Sequence, residues 1–299
     1  MEEKKKMLLA DLALLLAAAC WGGGFVAGDI AAEHFKPFFI MAVRFLGAAL
    51  FMGLLFSRHV RNSTREDWKA GIILGSLLFV AQPIQIIALK YTTPSKQAFL
   101  ITTYVILVPF ISWLVLRKRP GLKAFAAGAL ALVGIGLISL SGSLGIELGD
   151  GLTLLFSLLY SLLIVITGIL ARKVNPLAMS FFQYLTAGVL SFVVTIFFEG
   201  RVEAMPLDGG LALFYLLSIN TVVAYTLQNV AQRYTSDTHS AVLISTESVM
   251  GYFCGVVLYG DPFTPRVLLG GLIVFSAVLL SVVEWSKIFE KRKKQQKIR

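Results

Sequence analysis

"QIIALKYTTPSKQAFLITTY", residues 85–104, and "QNVAQRYTSDTHSAVLISTE", residues 228–247, are two copies of one phrase. At a constant offset of 143, Gln85 aligns with Gln228, Lys90 with Arg233, Tyr91 with Tyr234 and Thr92 with Thr235. "LITTY" (100–104) aligns with "LISTE" (243–247), so Tyr104 and Glu247 hold equivalent positions. Further on, Lys123 and Gly128 meet Arg266 and Gly271. Upstream, an offset of 139 pairs Asp11 with Asp150, Trp21 with Tyr160, Pro37 with Pro176, and Arg44-Phe45 with Gln183-Tyr184. Leucines and alanines coincide by chance in any two apolar helices. Polar, proline and glycine matches in one collinear order do not, and they mark an internal duplication.

The duplicated unit is a membrane unit. Of the 299 residues, 57% are hydrophobic and only 15% charged, against roughly 45–50% and about 25% in soluble domains. Continuous apolar runs predict ten spans: Leu8–Ala27, Pro37–Phe56, Trp68–Leu89, Ala98–Leu116, Ala124–Leu140, Leu152–Ala171, Leu177–Phe198, Leu211–Val230, Ala241–Tyr259 and Val267–Trp285. Each is about as long as a helix needs to cross the hydrocarbon layer. None alternates as a barrel strand would. Five spans per half is an odd number, so the second half starts from the opposite face. The expected fold is an all-α integral membrane protein whose ten transmembrane helices form two inverted five-helix repeats. The first repeat covers residues 1–143 and the second 144–286, with a basic tail at 287–299. Such repeats can exchange conformations about a central site.

The formal charge of +10 is distributed by membrane side. With the N-terminus inside, Lys36, Lys90, Lys96, Arg201 and Arg266 are the basic residues left outside, and Arg44 is the one left within a span. The positive-inside rule then places both termini in the cytoplasm of a plasma-membrane protein. The tail "KRKKQQKIR" reads as resting on anionic membrane lipid, and no nucleic-acid partner is expected. Cys20 and Cys254 both fall inside spans, with no disulfide or metal spacing. No cofactor or metal is expected.

"CWGGGF" in the first span, "P......RF" from Pro37 to Phe45, "KYTTPSKQAFL" at 90–100 and "VPFISWLVLRKRP" at 108–120 follow one another in a specific order. In that order the chain resembles the drug/metabolite transporter superfamily, in its EamA-type branch, over essentially its whole length. The resemblance implies a secondary transporter, commonly an exporter of amino acids or related metabolites, with a central cavity. Two positions depart from the pattern. Ser248, not proline, follows the acid of the ninth helix, and "RKRP" stands where relatives often end the fourth helix with glutamate.

Glu247 and Arg44 are the ionisable residues well inside predicted spans, where a charge costs about 2.5–3.5 kcal/mol. At 1.5 Å per residue both lie about 10 Å from the nearest helix end, close to the midplane. They read either as a salt bridge clamping two helices or as groups that handle substrate or protons. Trp21 and Tyr160 wall a cavity or pack a core. Gln82, Gln85, Gln183, Gln228 and Asn229 supply amide donors and acceptors for a polar cargo, or bind helix to helix. Thr102, Thr103, Ser245 and Thr246 read as hydroxyls that satisfy backbone carbonyls. The candidate substrate-binding set is therefore Trp21, Arg44, Gln82, Gln85, Tyr104, Tyr160, Gln183, Gln228, Asn229 and Glu247. His34, His59 and His239 are read as loop residues. The glycine faces pack helices within one chain or build a homodimer. No HExxH, GxxxxGK[ST] or buried Ser/His arrangement points to catalysis or ATP binding. A channel would need a continuous polar path, and the scattered polar set fits an occluded site better. The expected cargo is a small polar metabolite such as an amino acid, with an organic cation as the alternative.

Overall fold

The computed structural model describes residues 2–117, 122–139, 147–200 and 205–282. The basic tail, Lys118, Arg119 and Arg201 lie outside these. Among the described residues the chain is helical, without strands. The first half holds α1 (Glu2–His34), α2 (Pro37–Leu55), the short α3 (Ser57–Arg61), α4 (Arg65–Leu89), α5 (Pro94–Ile101), α6 (Tyr104–Leu116) and α7 (Leu122–Ser139). The second holds α8 (Leu148–Ala171), α9 (Pro176–Val194), α10 (Leu207–Tyr215), α11 (Ala224–Ala231), α12 (Asp237–Ile244), α13 (Glu247–Cys254) and α14 (Pro265–Val282). Among the described residues eight segments are long and apolar enough to cross a membrane, and α7 and α14 hold shorter apolar stretches where the other two are expected. Within the described residues each of the ten expected spans falls on helical segments, several starting a turn earlier; Leu140 and residues 283–285 of the expected spans lie outside them.

The starts follow from local chemistry. Pro37, Pro94 and Pro176 sit in the first turns of α2, α5 and α9, where a missing N–H costs nothing. Thr64 and Asp67 form a capping box on α4. Thr93 and Ser236 occupy equivalent repeat positions and perform the same task. Their hydroxyls accept from the backbone N–H of Lys96 and of His239, each at 3.3 Å.

Three expectations are corrected. The fourth and ninth spans are not continuous: α5 breaks from α6 at Thr102–Thr103, and α12 from α13 at Ser245–Thr246. The four hydroxyls at these breaks donate to carbonyls three residues back, at 2.6–2.9 Å. They hold a tightened turn in which the ordinary helical ladder is interrupted. The breaks are repeat-equivalent, and the first residue beyond each is Tyr104 or Glu247. The three histidines are also not in loops, since His34 ends α1, His59 lies in α3 and His239 in the first turn of α12. Because α1 runs to His34, it carries Asp29 and Glu33 as well, so Arg44 and Glu247 are not the sole ionisable groups on membrane helices. Glu33 Oε1 accepts from the Tyr259 hydroxyl at 2.6 Å near one end of the bundle.

A π-helical segment, Leu216–Val223, joins α10 to α11. Two others extend α9 to Glu199 and α13 to Tyr259. The most extensive packing is where α4 and α2 meet α9, where α7 meets α14 and where α4 meets α8, and α1 packs on α10, α11 and α13. The core behind these contacts includes Leu14, Met41, Phe45, Leu78, Leu163 and Tyr184, all fully buried. Gly134 and Gly270 bring α7 and α14 together, which is packing within one chain. One end of the bundle carries the starts of α1, α4, α9 and α12. The other, the far end, carries the starts of α2, α5 and α8.

Candidate functional site

The glycines of "CWGGGF" let α1 reach three neighbours at once. A Cβ on Gly22 would strike Met250 of α13, one on Gly23 the Tyr215 hydroxyl, and one on Gly24 the Asn220 amide. This close approach brings Trp21 against the π-helical segment, where its Nε1 donates to the Asn220 carbonyl at 2.9 Å. π-Helical turns shift side-chain register and often mark functional positions. Here the turn presents Asn220 and Thr221 to Arg44 of α2.

Arg44 is 3% exposed. Its Nε donates to Thr221 Oγ1, one terminal nitrogen donates to Asn220 Oδ1, and the other donates to Gln82 Oε1 at 3.1 Å. All three acceptors are neutral. The guanidinium also lies over the Tyr225 ring, 5.8 Å from its centroid. Arg44 and Glu247 line the same cavity but form no ion pair within 4 Å. The alternative of a salt bridge clamping two helices is therefore not met; each side chain is held by neutral partners.

Glu247, 4% exposed, accepts from the Tyr104 hydroxyl at 3.1 Å. The two residues are repeat equivalents that meet each other. Gln82 and Tyr225, also 143 apart, do the same: the Gln82 amide donates to the Tyr225 hydroxyl at 2.7 Å. Trp21 and Tyr160 pack edge to face with centroids 6.3 Å apart. Equivalent residues touch only near a two-fold axis, so these three pairs mark where the pseudo-symmetry axis runs.

The cavity at this axis is lined by Trp21, Arg44, Gln82, Gln85, Tyr160 and Glu247 from the expected set. Phe25, Phe156, Asn220 and Tyr225 complete the polar and aromatic lining. Tyr225 packs on Trp21 with centroids 5.0 Å apart, and Tyr104 on Tyr160 at 5.2 Å. The volume is about 30 Å³, room for a water or two. Gln85, Ile86 and Leu89 carry the lining toward the far end.

Four expected residues do not line this space. Tyr104 stands behind Glu247. The Gln228 carbonyl oxygen accepts from Tyr160 at 3.5 Å, at the edge of bonding distance. Asn229 donates to Gln183 Oε1 at 2.7 Å and to Ser180 Oγ at 2.8 Å, which joins α11 to α9 as buried structural bonds. Asn220, Thr221 and Tyr225 were not expected. Tyr225 is the equivalent of Gln82, and that was the available signal.

Two repeat-equivalent contacts sit at opposite ends of the bundle. At the far end Lys96 Nζ is 2.9 Å from both Asp150 and Glu147. At the N-terminal end His239 Nε2 lies 3.0 Å from Asp11. Lys96 is equivalent to His239 and Asp150 to Asp11, so one interaction appears twice, inverted. Each ties the broken helix of one half to the first helix of the other. The versions differ in burial: Asp150 is 0% exposed and Asp11 26%.

The family model for the EamA-like transporter family matches twice, over residues 8–140 and 147–283. An "Uncharacterized transporter" of Archaeoglobus fulgidus is 32% identical over 278 residues, covering 93% of this chain and 87% of that protein. The "Uncharacterized transporter YetK" of Bacillus subtilis is 24% identical over 295 residues, covering 94% and 88%. A solved crystal structure, titled only as that of a protein, shares the fold with a TM-score of 0.69 at 16% identity. It covers 93% of this chain and 96% of its own. With both halves matched in order, the chain is a multi-pass membrane protein that belongs to the EamA-like transporter family.

Proposed function

We propose that this transporter is a secondary carrier that exports a small polar metabolite, an amino acid or close relative, by alternating access about the Arg44–Glu247 cavity. The observation that carries the reading is one aromatic-walled cavity holding an arginine and a glutamate, neither spent on the other. A buried cation served only by neutral acceptors retains most of its attraction for an anion. A buried carboxylate held by one phenol retains its attraction for a cation. A zwitterion supplies both, with its carboxylate toward Arg44 and its ammonium toward Glu247. Export is the direction the family resemblance implies.

In this cycle equivalent elements of the two repeats, residues 1–143 and 144–286, exchange conformations about the cavity. The two inverted contacts, Lys96 with Asp150 and His239 with Asp11, act as latches, one for each membrane face. With both closed and only about 30 Å³ between the halves, the conformation suits an occluded intermediate. Parting at one latch or the other opens the cavity to one side at a time. The positive-inside rule puts the N-terminal end in the cytoplasm of a plasma-membrane protein. A cysteine at Asn62 that reacts with impermeant reagent from outside intact cells would reverse that orientation.

Reconstituted protein is expected to catalyse saturable exchange of labelled amino acid between the inside and outside of liposomes. Single-channel conductance in place of exchange would refute a carrier. A second reading, an organic cation as cargo, is favoured by Trp21, Tyr160 and Tyr225 in the same cavity as Glu247. Exchange of carboxylate-free amines with no exchange of amino acids would select it.

A further inference from the structure

At the N-terminal end a second recess, about 620 Å³, opens between α3, α4, α9 and the end of α11. His59, Asn62, Lys173, Arg233 and Tyr234 line it, together with the apolar Leu177 and Val230. The transport reading uses none of these residues. Among the described residues neither Lys173 nor Arg233 forms an ion pair, whereas the adjacent Arg172 is paired with Asp237 at 3.4 Å. The one carboxylate in the recess, Asp67, is engaged elsewhere. Its oxygens accept from the Thr64 and Asn175 backbone N–H groups, each at 2.7 Å, and from the Thr64 hydroxyl at 2.9 Å.

The depth of the recess is marked independently. Trp68, one turn into α4, is 49% exposed and donates its indole N–H to Ser63 Oγ at 2.8 Å, while its ring lies on Phe182. A half-exposed tryptophan with a polar anchor and an apolar face is the side chain that settles at headgroup level. Two unpaired cations, hydrogen-bond donors from Asn62 and Tyr234, and the apolar side chains of Leu177 and Val230 therefore converge at the end of the bundle where this tryptophan lies. Cationic pockets between helices at such a face retain anionic headgroups.

We propose that this recess is a binding site for the phosphodiester of one anionic phospholipid. Lys173 and Arg233 hold the phosphate, Asn62 and Tyr234 bond the headgroup, and an acyl chain leaves along Leu177 and Val230. The proposal is independent of the cargo and of the central cavity.

Native mass spectrometry of the full chain in mixed micelles of phosphatidylglycerol and phosphatidylcholine tests it. Wild type is expected to retain one phosphatidylglycerol in preference to phosphatidylcholine. Lys173→Gln/Arg233→Gln should weaken that retention at least tenfold, and Lys173→Arg should keep it. The control Arg65→Gln/Lys69→Gln, at the same face but outside the recess, should retain the lipid as wild type does. All substituted residues are exposed, and matching thermal unfolding without lipid checks that each variant is folded. Equal loss in the control pair would reduce the site to a generally basic face and overturn the proposal. Equal retention of phosphatidylcholine would also overturn it. Inorganic phosphate that displaces the lipid and stabilises the protein as well as phosphatidylglycerol does would assign the cations to a free anion instead.

Discussion

Arg44→Gln is expected to lower exchange of carboxylate-bearing cargo at least a hundredfold, while the protein still inserts and purifies. The guanidinium reaches a carboxylate with charge-assisted bonds, which are about twice as strong as neutral ones. Losing about 3 kcal/mol of such interaction corresponds to roughly a hundredfold. Glutamine can still bond Thr221, Asn220 or Gln82, all of them neutral, so the surrounding helices keep their contacts. Carboxylate-free amines, if carried at all, should lose much less. A structural clamp between Arg44 and Glu247 would predict recovery when both are replaced by glutamine, since no unpaired charge would remain. The observed geometry predicts no recovery, because the two residues are not partners. Counterflow in liposomes measures both variants, and restored exchange in the double variant would demote the pair to architecture.

Glu247→Gln should fold and transport at least tenfold more slowly. Its Oε1 accepts from Tyr104 at 3.1 Å, and the glutamine carbonyl can accept the same bond, so the break between α12 and α13 survives. What disappears is the negative charge. A hydrogen bond to a charged group is worth about 1.5–3 kcal/mol, enough for a loss of tenfold or more in affinity if Glu247 faces the ammonium of the cargo. If it instead carries the coupling proton, binding and exchange should persist while the response to a pH gradient is lost. Binding and gradient-driven flux, measured on the same reconstituted variant, separate the two roles. Wild-type values for both would remove Glu247 from the site.

The sequence made the spans, the duplication and the two intramembrane charges legible, because each is written in composition or in matched polar positions. The helix breaks were less visible. Apolar composition continues through "ITTY" and "ISTE", and hydropathy is blind to backbone hydrogen-bond register. The doubled hydroxyls at Thr102–Thr103 and Ser245–Thr246 were the signal, and their bonding to local carbonyls was correctly expected. A repeat alignment also states equivalence without contact. That Tyr104 should donate to its own counterpart Glu247 follows only when the axis passes between them. Gln183 and Asn229 illustrate a different limit: an amide looks the same in sequence whether it faces a cavity or a neighbouring helix. Asn220 and Thr221 were hidden because the π-helical segment turns them off an ordinary 3.6-residue register. His239 was assigned to a loop because the ninth span was started at Ala241, one turn after the Ser236 cap.

The inverted latches offer the most direct test of alternating access, and it needs no knowledge of the cargo. In a background without Cys20 and Cys254, a cysteine at Gln85 reports access to the cavity. Its labelling by impermeant reagent is measured from each side of the membrane. Asp150→Asn weakens the far-end latch while leaving Lys96 with Glu147; Asp11→Asn opens its equivalent at His239. Each variant destabilises one closed end and shifts the population toward opening there. Asp150→Asn is expected to raise labelling from the far side and lower it from the N-terminal side, and Asp11→Asn to do the reverse. Labelling that rises from both sides together, or that shifts the same way in both variants, would contradict a carrier whose two ends open in alternation.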